Sequence, residues 1–291
     1  MKYSTDKSFC EELDQKDSLK SYKDLFFIPK NKIGKELIYF CGNSLGLQPK
    51  KTKEYIIQEI DDWRTHAVEG HFHAKNPWLP YHEMLSTSYS KLIGAKSSEV
   101  IAMNTLTVNL HLMMVSFYKP KKNKFKILIE KDAFPSDIYA VESQIKFHGF
   151  KTDEALIKLE PREGEYFIRQ EDIEKIIKEN SNEIALILIG GVNYYTGQLF
   201  DMQKITKVGH ENGIVVGFDL AHAIGNVKLE LNKWNVDFAV WCSYKYLNSG
   251  PGAIAGAFVN ERFHNVELPR FTGWWGHNKK ERFSMDDKFK P

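Results

Sequence analysis

Ile184-Ala185-Leu186-Ile187-Leu188-Ile189 and Ile214-Val215-Val216-Gly217-Phe218-Asp219, with the segment Met202–Asn212 between them, decide the fold. The first run is continuously apolar, as expected of a strand buried on both faces of a parallel sheet. Met202–Asn212 reads as a helix, and Gly213 suits its C-terminal end. Strand, helix and strand in that order make a βαβ unit. The same alternation extends upstream. Lys126–Glu130 and Leu156–Leu159 read as strands, and Ser136–His148 and Glu171–Glu179 as helices. Further upstream, Ser98–Met103 is extended and Val108–Tyr118 helical; Lys51–His66 and Tyr81–Ile93 are helical, with Gly94 as a cap. Leu37–Cys41 reads as a short strand ended by Gly42, and residues 1–36 as polar helical material. Downstream, Phe238–Cys242 and Ile254–Val259 are two more strands. The expectation is an α/β layer fold with a largely parallel sheet. Such sheets hold ligands at the carboxyl ends of their strands. Residues 1–50 are expected to form an N-terminal segment and 51–291 one large domain.

Composition narrows the function classes. The chain has 291 residues, 42% hydrophobic and 27% charged, with a formal net charge of +2. That balance gives no reason to expect nucleic acid as a partner. Lys119, Lys121, Lys122, Lys124 and Lys126 cluster between a helix and a strand and read as a solvated turn. Cys10, Cys41 and Cys242 are odd in number and fit no metal-ligand spacing, so free thiols are expected. No apolar run suggests a signal peptide or a membrane span. A cytoplasmic enzyme with no bound metal and no membrane contact is the expectation.

Chemistry gathers at strand ends. Asp219 closes an apolar strand, where a carboxylate is costly unless it meets a cation; taken alone, capping the turn Leu220–Ala223 explains it better. Lys245 follows the strand Phe238–Cys242 through Ser243-Tyr244 and precedes the turn Asn248-Ser249-Gly250-Pro251-Gly252. A lysine so enclosed is suited to form an imine, although most lysines lie at the surface. Together the two residues match the needs of pyridoxal 5′-phosphate: an amine for its aldehyde carbon and a carboxylate for its ring nitrogen. Asn104-Thr105-Leu106-Thr107 opens a helix and would serve a phosphate, or simply cap that helix. Phe134, in Ala133-Phe134-Pro135-Ser136-Asp137, would stack on a ring or belong to the core.

Six strings in order resemble the kynureninase family: Gly42-Asn43-Ser44-Leu45-Gly46-Leu47, Phe134-Pro135-Ser136-Asp137, Tyr195-Thr196-Gly197-Gln198, Asp219-Leu220-Ala221-His222, Cys242-Ser243-Tyr244-Lys245-Tyr246 and Gly273-Trp274-Trp275-Gly276-His277. The resemblance implies the large domain of the fold-type-I pyridoxal-phosphate transferases, of the class-V aminotransferase group, and a homodimer with sites at the subunit interface. It assigns Lys245 to the cofactor's covalent bond and Asp219 to its ring nitrogen. Phe134 would stack on the ring. Leu106, Thr107 and Tyr244 would serve the phosphate, joined by Trp274 from the neighbouring subunit. Pro135, Ser136, Asp137, Gly190 and His222 would lie around the cofactor, and Ser44 and His71 near the substrate's aromatic ring. Catalysis would fall to Lys245, Tyr244 and Asp219. The family commonly carries Ser where this chain has Gly190, which removes a hydroxyl donor. The family also continues into a smaller C-terminal domain that supplies an Asn near the phosphate and an Arg for the substrate carboxylate. No residue here is assigned to that clamp. The implied reaction is hydrolysis of L-kynurenine or 3-hydroxykynurenine to L-alanine and anthranilate or 3-hydroxyanthranilate, in tryptophan degradation and NAD biosynthesis. An inactive truncated subunit, able at most to bind cofactor or pair with a full-length partner, is the alternative. A cysteine desulfurase is disfavoured, because Tyr244 stands where those enzymes place His before the lysine, and Cys242 falls in a buried strand.

Overall fold

The computed structural model describes residues 3–291 and divides into two compact units. The first holds the chain up to Met84 and takes up Ser243–Ala253 again; the second holds Leu85–Cys242 and Ile254–Pro291.

In the first unit, the helices are α1 (Lys7–Lys16), α2 (Thr52–His66) and α3 (Gly70–His73). Leu37–Cys41 is not a strand. Its neighbourhood makes one isolated bridge, Lys30 with Glu36, and Ile38 and Phe40 are almost fully exposed. Apolar residues alone do not make a strand; a ladder partner is required, and none pairs here among the described residues. The turn after α3 is bound back to α2: Trp78 Nε1 donates to Glu59 at 3.1 Å and the Lys75 amide to buried Asp62 at 3.0 Å.

The second unit contains the sheet. Its elements in chain order are α4 (Ser86–Ile93), β1 (Val100–Ala102), α5 (Leu106–Phe117), β2 (Lys126–Glu130), α6 (Pro135–Phe147), α7 (Thr152–Ala155) and β3 (Leu156–Leu159). Then follow α8 (Gln170–Glu179), β4 (Ile184–Gly190), α9 (Met202–Glu211), β5 (Val215–Asp219), β6 (Phe238–Trp241) and β7 (Gly256–Val259). Two expected elements are shorter than their apolar patterns. Tyr81–Ile93 splits into a 3-10 turn and α4, and Ser97–Glu99 is a 3-10 turn before β1. Gly94 does end α4, in the left-handed conformation.

The strand order is β1-β7-β6-β5-β4-β2-β3. β3, β2, β4, β5 and β6 run parallel; β7 runs antiparallel to β6, and β1, antiparallel to β7, points the same way as the parallel strands. One core forms where α5 and α6 cover the sheet through Leu110, Met114, Val141 and Ile145 against Ile127, Ile129, Leu186 and Leu188. Phe117 stacks on Phe238 at 4.9 Å. Each such side chain contributes roughly 1.5–3 kcal/mol on burial. On α9, a Cβ at Gly209 would strike the Val216 side chain of β5, so the glycine lets that helix lie close against the sheet. The parallel strands therefore share one carboxyl edge, which carries Glu130, Gly190 and Asp219. No described helix is long and apolar enough to cross a membrane.

Candidate functional site

In the second unit, two helix starts meet beside the carboxyl edge. Thr105 caps α5, its side chain accepting from the Val108 amide at 3.5 Å, and Asn104 before it adopts a positive φ of 52°. Asparagine tolerates that conformation, and its side chain is tied to Asn109 at 3.1 Å. Pro135 opens α6 at the position where a missing N–H costs nothing. Thr107 Oγ1 and Ser136 Oγ lie 3.1 Å apart. Around them is a cavity of about 500 Å³ lined by Thr107, His111, Phe134, Pro135, Ser136, Tyr139 and Ala140. The amides opening α5 and the two hydroxyls form a donor set suited to a phosphate. The Phe134 ring is half exposed and stands edge-on to Tyr194 at 5.2 Å, and Tyr194 lies 6.5 Å from His222.

Asp219 is buried, and its Oδ1 accepts from the Ala221 amide at 2.6 Å. The turn-capping role and a ligand-facing role are thus compatible, since a carboxylate has further lone pairs. Gly190, opposite Asp219 in the β4–β5 register, directs its N–H to both carboxyl oxygens of Glu130 at 3.2 Å. Burial, the largest effect, pushes Glu130 up to about 7, and the negative charge of Asp219 adds to the rise. The Gly190 amide and Asn193 pull the other way. Asn193 is itself buried, accepts from the Tyr195 and Thr196 amides, and anchors the turn that carries Tyr194. Leu106 begins α5 half buried, and Asp137 is buried in the first turn of α6. Trp274 is not among the cavity's lining residues: its Nε1 donates to the Arg282 carbonyl at 3.0 Å, with the Arg282 guanidinium over its ring.

In the first unit, Lys245 is buried and Tyr244 half buried. The Gly46 amide donates to the Tyr244 carbonyl at 2.8 Å. A Cβ on Gly46 would collide with the Lys245 carbonyl and with Asn248, so the Gly42–Leu47 turn lies directly on the Lys245 backbone. That close approach gives the glycine string a physical reason. Ser44 and His71 have different neighbours: Ser44 is exposed in that turn, its amide bonded to Cys41, while His71 stands edge-on to Trp78 at 5.7 Å.

Glu130, Asn193 and Tyr194 stand beside the candidate site residues Gly190 and Phe134, and the sequence reading passed over them. Glu130 carried the signal used for Asp219, an acid closing an apolar strand. The second unit thus holds an anion cradle with an aromatic face and a buried carboxylate, and the first unit holds a buried lysine, the residue types that pyridoxal phosphate requires. The residues present fit that group. Among the described residues no cluster of three or more His, Cys, Asp or Glu could hold a metal ion.

Residues 38–269 match the family model described as aminotransferase class-V. A protein named kynureninase from Flavobacterium psychrophilum is 57% identical over 284 residues, covering 97% of this chain and 67% of that protein. Another so named, from Rattus norvegicus, is 48% identical over 295 residues, covering 98% and 64%. The chain thus spans about two thirds of the length of these relatives. Among solved structures, an apo cysteine desulfurase from Thermococcus onnurineus NA1 matches with a TM-score of 0.62 at 18% identity, over 90% of this chain and 60% of that one. A mutant of C-DES with glycine covalently linked to its PLP cofactor matches with a TM-score of 0.69 at 14% identity, over 82% and 61%. These two likenesses concern the fold.

Proposed function

Because the chain belongs to the class-V aminotransferase family and, within it, to the kynureninases, we propose that it binds pyridoxal 5′-phosphate and serves the hydrolysis of L-kynurenine or 3-hydroxykynurenine. The products are L-alanine and anthranilate or 3-hydroxyanthranilate; one water is consumed and the Cβ–Cγ bond breaks. The observation that carries this reading is the pairing of strand ends. Asp219 closes β5, Val240 opposite it belongs to the parallel neighbour β6, and the chain leaves β6 directly toward Lys245.

When bound, the cofactor supplies an electron sink conjugated to the substrate's Cα. Lys245 would hold it covalently and would move the proton at the substrate's Cα. Asp219 holds the proton on the ring nitrogen. Thr107, Ser136 and the amides at the start of α5 bind the phosphate, and Phe134 stacks on the ring. Tyr244 acts as a proton donor beside the lysine. Ser44 and His71 orient the substrate's aromatic ring. Within this reading the working form is a cytoplasmic homodimer in which Trp274 of one copy completes the phosphate site of the other.

The test is anthranilate fluorescence after kynurenine is added to the cofactor-loaded chain. Turnover that disappears in Lys245→Ala supports the reading. Cofactor uptake without turnover favours an inactive subunit that works only beside a longer partner.

A further inference from the structure

Two acidic side chains end the strands that flank β4 in the second unit, Glu130 on β2 and Asp219 on β5. Gly190 connects them. It registers with Asp219 in the sheet, and its N–H is held by both Glu130 oxygens. A Cβ on residue 190 would lie 2.9 Å from Glu130 Oε1, closer than real Cβ contacts come. A side chain at residue 190 would therefore press on the Glu130 carboxyl. Glu130 is 3% exposed and Asp219 8%, so water screens neither well.

We propose that Glu130 is a positioning residue acting through Asp219: seated in the space left by Gly190, it sets the negative charge at the carboxylate that holds the cofactor's cationic ring nitrogen, by keeping or releasing its own proton. The inference rests on the cofactor reading above. The ionisable group that faces Glu130 is Asp219 from β5; β4 and the turn after it present the Gly190 amide and Asn193. β3 presents Leu159, and Lys131, next in the chain, turns its ammonium to Glu160 at 3.3 Å. With its value pushed up to about 7, mainly by burial, Glu130 is a neutral acid below neutrality and an anion above it. Two adjoining anions are unfavourable alone but are stabilised by a cation held between or beside them. Cation binding and release of the Glu130 proton to solvent therefore favour each other by the same factor.

The test titrates pyridoxal phosphate by absorbance into the full chain between about pH 5.5 and about pH 8.5, on either side of Glu130's value. Wild type, Glu130→Gln and Gly190→Ala are compared, with folding checked by circular dichroism. The affinity ratio of wild type to Glu130→Gln is expected to climb about tenfold across that range. Gly190→Ala, which crowds the carboxyl, shifts the midpoint of that climb, and adding it to Glu130→Gln leaves the pH dependence of Glu130→Gln unchanged. Infrared spectra of the cofactor-free chain read the proton itself. A protonated-carboxyl band should fade with a midpoint near 7, be missing in Glu130→Gln and move to lower pH in Asp219→Asn. Parallel pH dependences of wild type and Glu130→Gln, or no such band, would overturn the inference alone. A wild type that binds no cofactor at any pH overturns the functional reading and this inference with it.

Discussion

Asp237 and Glu130 are equally buried acids in the same sheet, and their surroundings are opposite. Asp237 stands just before β6, at the amino edge, where His210 approaches one carboxyl oxygen at 2.9 Å, Arg262 pairs with the other, and the Val216 amide donates at 2.6 Å. Its charge is answered within the chain. Glu130 stands at the carboxyl edge next to a second acid, and burial with that neighbour raises its value. Breaking the pair between a buried carboxylate and its own arginine costs the fold dearly. A pair of buried carboxyls at one strand edge favours a cation beside it.

Four substitutions sharpen or break this comparison, from the largest expected effect to the smallest. Asp237→Ala should cost roughly 4 kcal/mol of stability by leaving Arg262 without its buried partner. Denaturant midpoints check it, and cofactor affinity per folded molecule should stay the same. Asp219→Asn should do the reverse. Kynurenine turnover is expected to fall on the order of 10³-fold, while the denaturation midpoint moves little; a large stability loss without a kinetic one would place Asp219 in the same class as Asp237.

Glu130→Gln should show its effect through pH. A carboxyl whose value is raised in the folded state adds stability that is complete below its unfolded value and lost as pH rises through the folded one. For Glu130 the window runs from 4.5 to about 7, worth roughly 3 kcal/mol. Wild type should therefore lose stability across that window relative to Glu130→Gln, as urea melts at its two ends would show; parallel losses would contradict a raised value. The smallest effect belongs to Thr107→Ala, which removes one hydroxyl of the pair at 3.1 Å. Cofactor affinity should drop by about 1 kcal/mol, roughly fivefold, in an absorbance titration.

Much of the fold was legible in the sequence. Lys126–Glu130 and Leu156–Leu159 are strands with the expected ends, because their apolar runs are short and sharply bounded. Leu37–Cys41 misled for a definite reason: its apolar residues meet no ladder partner and face outward. At the candidate site, Asp219 and Lys245 drew attention as residue types with one strong chemical use at a strand end, and both are buried. Glu130 carried the same mark, but its meaning depends on β4 lying between β2 and β5, an order that strand patterns alone do not reveal. Gly190 appeared in the sequence as a lost hydroxyl; the structure shows what the smaller residue makes room for.

The most direct measurement is to add pyridoxal phosphate to the chain, reduce with borohydride so that the cofactor is locked onto whichever amine it has bonded, and map the labelled peptide by mass. A pyridoxyl group on Lys245, absent in the Lys245→Ala chain, is the expected result. A label spread over surface lysines, or none, would contradict the assignment of Lys245 and Asp219 to one cofactor.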